Sequence, residues 1–252
     1  MKKQNTKKGI YILPSLFTLG NLSLGFLSII MTNNARFTTA AWYILFAGVC
    51  DILDGLIAKL TNTTSQFGAE LDSLADLVTF GIAPAILIYQ FTLFKLPKWG
   101  IIIALLYIIA AALRLARFNT KKGEESQYCF KGLPSPAAAG ILVTFVLINL
   151  TTQRTPVIAK YLDLFIKVWP LIVILVAYAM ISNLSYFAIK NLKLKKPKTI
   201  RFIVLLGIGG VLIWRFPENM LFTIFLLYFL SGSIDLIRKL NRATIIFKNR
   251  KK

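Results

Sequence analysis

Apolar runs long enough to cross a bilayer recur along most of this chain, and that recurrence limits what it can fold into more than any other feature. A helix needs about 20 apolar residues to span the hydrocarbon core. Such runs occupy, with soft edges, residues 12–31, 38–57, 77–94, 99–118, 135–150, 168–189, 200–216 and 219–237. One or two could be core helices of a soluble protein. Eight in succession leave no polar surface to cover them, in a chain of 252 residues that is 56% hydrophobic. The run at 135–150 is short and needs Leu133 or Pro134 to extend it. The first run carries Pro14, Ser15, Thr18 and Asn21, so its start is expected in the interface. Hydrocarbon offers backbone groups no partners, so the spans are predicted to be helices, which satisfy their own. The expected fold is an all-α integral membrane protein with about eight transmembrane helices. It is expected to be one membrane-embedded domain over residues 1–252, with a six-helix core at about 10–189 and two additional C-terminal helices at about 200–238.

Charge placement orients the spans. The chain has 30 Lys and Arg against 10 Asp and Glu, a net charge of +20. With the N-terminus in the cytosol, only Arg36, Lys95, Lys98, Arg154, Lys160, Lys167 and Arg215 fall outside. All other basic residues fall inside, the asymmetry expected of an even-span protein with both termini cytosolic. The charges flank spans instead of forming one face. The expected partner is therefore the anionic headgroup layer of the bilayer, with no nucleic acid. Cys50 and Cys129 fall in a span and on the cytosolic side, where no disulfide is expected. The absence of histidine excludes a Ser-His-Asp triad, a Cys-His dyad, imidazole zinc sites and a phosphohistidine intermediate.

Four of the six aspartates gather in one stretch, CDILDGLIAKLTNTTSQFGAELDSLADLVTFGIAPA, from Cys50 to Ala85. Asp51 and Asp54 are three apart and share a face near the cytosolic end of the second helix. Asp72 and Asp76 are four apart at the start of the third. The polar segment from Leu60 to Phe67 reads as a turn, so the four carboxylates can meet across one helix pair. Clustered carboxylates repel, and their desolvation near a membrane is costly, so the cluster calls for cations. Oxygen ligands without histidine or thiolate suit Mg²⁺ or Mn²⁺, with Ca²⁺ able to occupy such a site in crystals. Two metals about 3.5–4 Å apart can clamp a phosphoryl group. Solvated helix ends or the path of a divalent-cation transporter are the alternatives. A path needs polar residues across the bilayer, whereas the third span runs LVTFGIAPAILIYQFTLF. Gly55 and Gly68 leave room beside these acids for a ligand or for close helix packing.

The pattern D-x-x-D-G-x-x-A-[basic]-x8-G-x-x-x-D-x-x-x-D is read here at Asp51, Asp54, Gly55, Ala58, Lys59, Gly68, Asp72 and Asp76. It resembles the signature of the CDP-alcohol phosphatidyltransferase family. The resemblance implies a helical membrane fold with a two-metal site open to the cytosol, a CDP-lipid donor and CMP as leaving group. Carried over, Asp51 and Asp72 bridge both metals, Asp54 completes the first site, and Asp76 completes the second and acts as general base. Gly55, Lys59, Ser65 and Gly68 align with positions that hold the CDP group, and Asn21 and Thr18 with nucleotide contacts. The family usually has Arg where Lys59 stands, and Lys lacks the planar fork for bidentate contact.

Three segments, 13–29, 72–85 and 112–119 with 130–140, are similar to the members of that family that use serine. This implies CDP-diacylglycerol and L-serine as substrates, phosphatidylserine and CMP as products, and a homodimer in the cell membrane. Arg114 and Arg117, three apart at the cytosolic end of the fourth span, could fork the serine carboxylate or anchor to headgroups. Asn119 and Lys131 are further acceptor candidates. Sister enzymes acting on glycerol 3-phosphate or an inositol phosphate call for a denser basic pocket, and no Arg or Lys occurs from Gly68 through Phe94.

Overall fold

The structure, a computed structural model, describes residues 12–61, 65–96, 98–120, 129–152, 156–187, 215 and 217–232. Its helices are α1 (Ile12–Asn33), α2 (Phe37–Thr61), α3 (Gln66–Asp76), α4 (Ala83–Phe91), α5 (Trp99–Thr120), α6 (Ser135–Thr152), α7 (Pro156–Ile181) and α8 (217–232). A π-helical turn, Leu77–Ile82, joins α3 to α4. Among the described residues, four stretches are long and apolar enough to cross a membrane: Leu16–Asn33, Phe37–Ala58, Gln66–Phe91 and Trp99–Thr120. Ser135–Thr151 and Lys167–Ile181 are shorter apolar helices.

Several boundaries differ from expectation. The third helical stretch starts at Gln66, at the end of the expected polar turn and well before the apolar run at 77–94, because its first turns carry the acids and score as polar while remaining helical. Ser65 caps it, accepting the Gly68 N–H at 3.0 Å. The helix expected at 168–189 starts at Pro156, a residue suited to a first helical turn. Lys160, Asp163 and Lys167 hide that beginning from a hydropathy reading. It ends at Ile181, and the chain then forms a short strand. That strand, β2 (Ser185–Phe187), pairs antiparallel with β1 (Cys129–Lys131), Phe130 opposite Tyr186. A purely helical expectation missed this ribbon, since three-residue strands have no readable alternation. Gly132 (φ +84) turns the chain after β1 so tightly that a Cβ there would strike the Met180 carbonyl. The short fifth run does not recruit Leu133 or Pro134, since α6 starts at Ser135. Apart from Arg215, the run expected at 200–216 lies outside the described residues.

The apolar core centres on α6, whose Ile141, Leu142, Val143, Phe145, Val146 and Leu147 are buried. The Phe145 ring stacks on Trp169 of α7 with centroids 3.3 Å apart. Large apolar side chains such as Phe26, Phe46, Leu105 and Tyr178 point outward, as a hydrocarbon surrounding permits.

The π-turn has a local cause. Pro84 cannot donate a backbone hydrogen bond and its ring crowds the carbonyl four residues earlier, that of Phe80. The buried Tyr107 hydroxyl of α5 donates to that carbonyl at 2.9 Å. The irregular turn is thereby tied to a neighbouring helix immediately after Asp76.

Candidate active site

The helix pair α2 and α3 brings Asp51, Asp72 and Asp76 together, with one carboxylate oxygen from each lying within 4.8 Å of the others. The spacing read from the sequence explains this: one acid comes from the end of α2 and two from one face of α3. All three are partly buried. Asp54, one turn beyond Asp51 on α2, stands outside this tight group and is only 8% exposed. The donor set is carboxylate oxygen alone, and its closeness fits hard divalent cations.

Helix α1 supplies what sequence reasoning had assigned elsewhere. Thr18 donates its hydroxyl to Oδ2 of Asp54. Asn21 donates Nδ2 to Oδ1 of Asp76 at 3.2 Å. Both are buried, and their partners here are carboxylates. Thr79, in the π-turn, donates to the Asn21 carbonyl at 3.1 Å, and Gly25 lets α1 press against Thr79, which an added Cβ would strike. Helix α1 therefore lies directly over the carboxylates and orients two of them.

The two glycines differ. A Cβ at Gly55 would meet no atom within 4 Å among the described residues, so close packing against them does not explain this residue, and they leave open space beside Asp54. A Cβ at Gly68 would come to 3.1 Å from the Ser65 hydroxyl, so that glycine keeps the α3 cap undisturbed. Ser65 is an exposed helix cap at the mouth of the pair. The Lys59 side chain lies outside the described residues.

The acceptor candidates separate as well. Arg114 donates Nη1 to the buried Ser135 at 2.9 Å, and its charge reaches Asp76. Arg117 donates Nη1 to the Ile181 carbonyl at 3.0 Å, closing the end of α7. Its Nη2 is buried with no hydrogen-bond partner among the described residues. Asn119 donates to Ser73 at 2.9 Å, holding α5 to α3 one residue from Asp72. Ser73 was missed by sequence reasoning, and an isolated serine beside an acidic motif gives no signal that could have found it. Lys131 is exposed on β1.

Known proteins resemble the chain over nearly its whole length. Residues 11–169 match the family model of the CDP-alcohol phosphatidyltransferases. A CDP-diacylglycerol–serine O-phosphatidyltransferase of Helicobacter pylori is 33% identical over 225 residues, covering 89% of this chain and 91% of that one. The Bacillus subtilis protein of the same name is 40% identical over 131 residues, 52% of this chain and 73% of that one. An archaetidylserine synthase of Methanothermobacter thermautotrophicus is 33% identical over 176 residues, 69% of each.

Proposed function

The chain belongs to the CDP-alcohol phosphatidyltransferase family, and we propose that it transfers the phosphatidyl group of CDP-diacylglycerol to the hydroxyl of L-serine, giving phosphatidylserine and CMP. The observation that carries this reading is the meeting of Asp51, Asp72 and Asp76 from α2 and α3 in an all-carboxylate cluster. The serine-transferring relative similar over nine-tenths of its length supports the acceptor.

Asp51, Asp54, Asp72 and Asp76 would hold two divalent cations, Mg²⁺ or Mn²⁺. Bound there, such cations neutralise the diphosphate and polarise its oxygens. Asp76 takes the proton from the serine hydroxyl as it attacks the lipid-side phosphorus in line with departing CMP. No covalent nucleophile is needed. Thr18 and Asn21 hold Asp54 and Asp76 in orientation beside the nucleotide. Gly55 leaves room for the CDP group, which Lys59, Ser65 and Gly68 also approach. Arg114 and Arg117 receive the serine carboxylate, Arg117 through the Nη2 that no described residue occupies. Asn119 and Lys131 complete the acceptor side.

The basic flanks of the apolar runs support about eight spans, cytosolic termini and a cytosol-facing site. A single catalytic domain over residues 1–252, working as a homodimer, completes the proposal.

The test is an assay of the purified chain with CDP-diacylglycerol, Mn²⁺ or Mg²⁺ and a panel of labelled acceptors, with the lipid product identified. Phosphatidylserine and CMP are expected, with activity lost on chelation and restored by either metal. A phosphatidylglycerol phosphate or inositol phosphate lipid as the product overturns the acceptor. Full activity after thorough chelation overturns the mechanism.

A further inference from the structure

Helix α8 has no part in the chemistry above, and the family match ends at residue 169, well before it. Its docking is nevertheless specific. The Phe225 ring lies so close over Gly140 of α6 that an added Cβ would overlap it, and Gly232 lies against the Tyr186 ring in the same way. Tyr228 adds a ring contact to Tyr186, centroids 5.7 Å apart. Two glycines thus seat α8 at two separate points.

That seating makes α8 one wall of a half-open cavity of about 430 Å³ between α2, α6 and α8, with Phe46 and Val49 half-exposed at its outer side. Trp42, Phe46 and Val49 form the α2 wall, Gly140 the α6 wall, and Leu221 and Phe225 the α8 wall. Asp51, a member of the carboxylate cluster, is the charged residue on its lining. The cavity therefore runs from the proposed diphosphate position into the apolar part of the protein. From Asp51 back to Trp42, α2 covers about 14 Å at 1.5 Å per residue. That is close to half of the roughly 30 Å hydrocarbon core, the reach of a lipid tail in one leaflet. The volume suits a small-molecule site, typically about 300–1,000 Å³.

We propose that this cavity receives one acyl chain of the CDP-linked lipid donor, with α8 as its third wall and Leu221 and Phe225 as the residues that set which chains fit. The proposal rests on the phosphatidyl-transfer reading and gives the C-terminal helix a role in donor specificity. Lipid tails are as apolar as leucine, so the bilayer competes equally for the chain, and discrimination must come from fit.

The full chain in lipid nanodiscs, supplied with L-serine, Mn²⁺ and CDP-diacylglycerols of graded chain length, provides the test. Leu221→Trp is expected to lower kcat/KM for long-chain donors about tenfold through overpacking, sparing short-chain donors and the serine KM. Phe225→Ala is expected to shift the preference toward longer chains. A chain-length profile superimposable on that of the unmodified protein, or a uniform loss at all lengths, overturns the proposal. A CDP-diacylglycerol with a photoreactive acyl group gives a readout independent of turnover, and is expected to label α8 in competition with unlabelled CDP-diacylglycerol. Equal competition by phosphatidylcholine marks a bilayer-lipid site, and labelling of a neighbouring copy marks an interface; either overturns the proposal. Specific labelling of α8 in a chain that forms no product with any acceptor would instead sink the transfer reading and leave the acyl site standing.

Discussion

Thr18, Asn21, Asp54 and Thr79 are buried about as thoroughly as Leu142, Val143, Phe145 and Val146 on α6, yet the two regions are held together differently. Around the carboxylates, named hydrogen bonds join side chains across helices: Thr18 to Asp54, Asn21 to Asp76, Thr79 to the Asn21 carbonyl. Around α6 no hydrogen bond crosses between the packed apolar side chains, and shape alone fits Phe145 to Trp169. The polar region fixes the direction of individual oxygens, which chemistry requires. The apolar region fixes helix spacing, and any side chain of the right volume serves. Substitutions in the first should change the reaction, and substitutions in the second should change stability.

Three substitutions test that division, and a fourth, outside both regions, serves as a control. The largest effect is expected from Asp76→Asn, which keeps shape and removes the proposed base. Turnover should fall about a hundred- to ten-thousand-fold, while circular dichroism and the unfolding midpoint stay near those of the unmodified protein. Substantial residual turnover would erase the distinction at its sharpest point. Next, Phe145→Ala should cost about 3 kcal/mol of stability by opening a cavity against Trp169. The protein that remains folded should keep its kcat, and a fall in kcat per folded molecule would show that the apolar region also directs the chemistry. Thr18→Val, which removes one hydroxyl beside Asp54, should cost about 10- to 100-fold in metal affinity or activity, read from the Mn²⁺ dependence of turnover. A loss of stability without a change in metal dependence would move Thr18 to the other side of the comparison. The smallest effect belongs to neither region. Ala35, in the α1–α2 turn, has φ 56, a left-handed conformation that glycine adopts more readily. Ala35→Gly should raise stability by less than about 1 kcal/mol, with activity unchanged.

Much of the candidate site is legible in the sequence. Asp51, Asp72 and Asp76 follow from helical spacing and a short polar turn, and their convergence is observed. Asp54 belongs to the same pattern, yet the structure sets it apart, hydrogen-bonded to a helix that begins far earlier in the chain. The amphipathic beginnings of the α3 stretch and of α7 escape a hydropathy reading for one reason: charged residues lower local hydropathy without breaking a helix. The β1–β2 ribbon escapes it because its two strands are far apart in sequence and too short to show alternation.

By itself the sequence determined the membrane setting, the helical class, the all-carboxylate make-up of the acidic cluster and the spacing of the acids. Each of these depends on composition or on residues within a few turns of one another. Tertiary structure alone decided that α1 lies over the carboxylates, that Tyr107 takes up the carbonyl freed by Pro84, that Arg117 closes the end of α7, and that Phe225 settles on Gly140 to wall a cavity beside Asp51. Those contacts join residues that no helical period relates. They arise only when packed helices bring particular residues, distant in the chain, face to face.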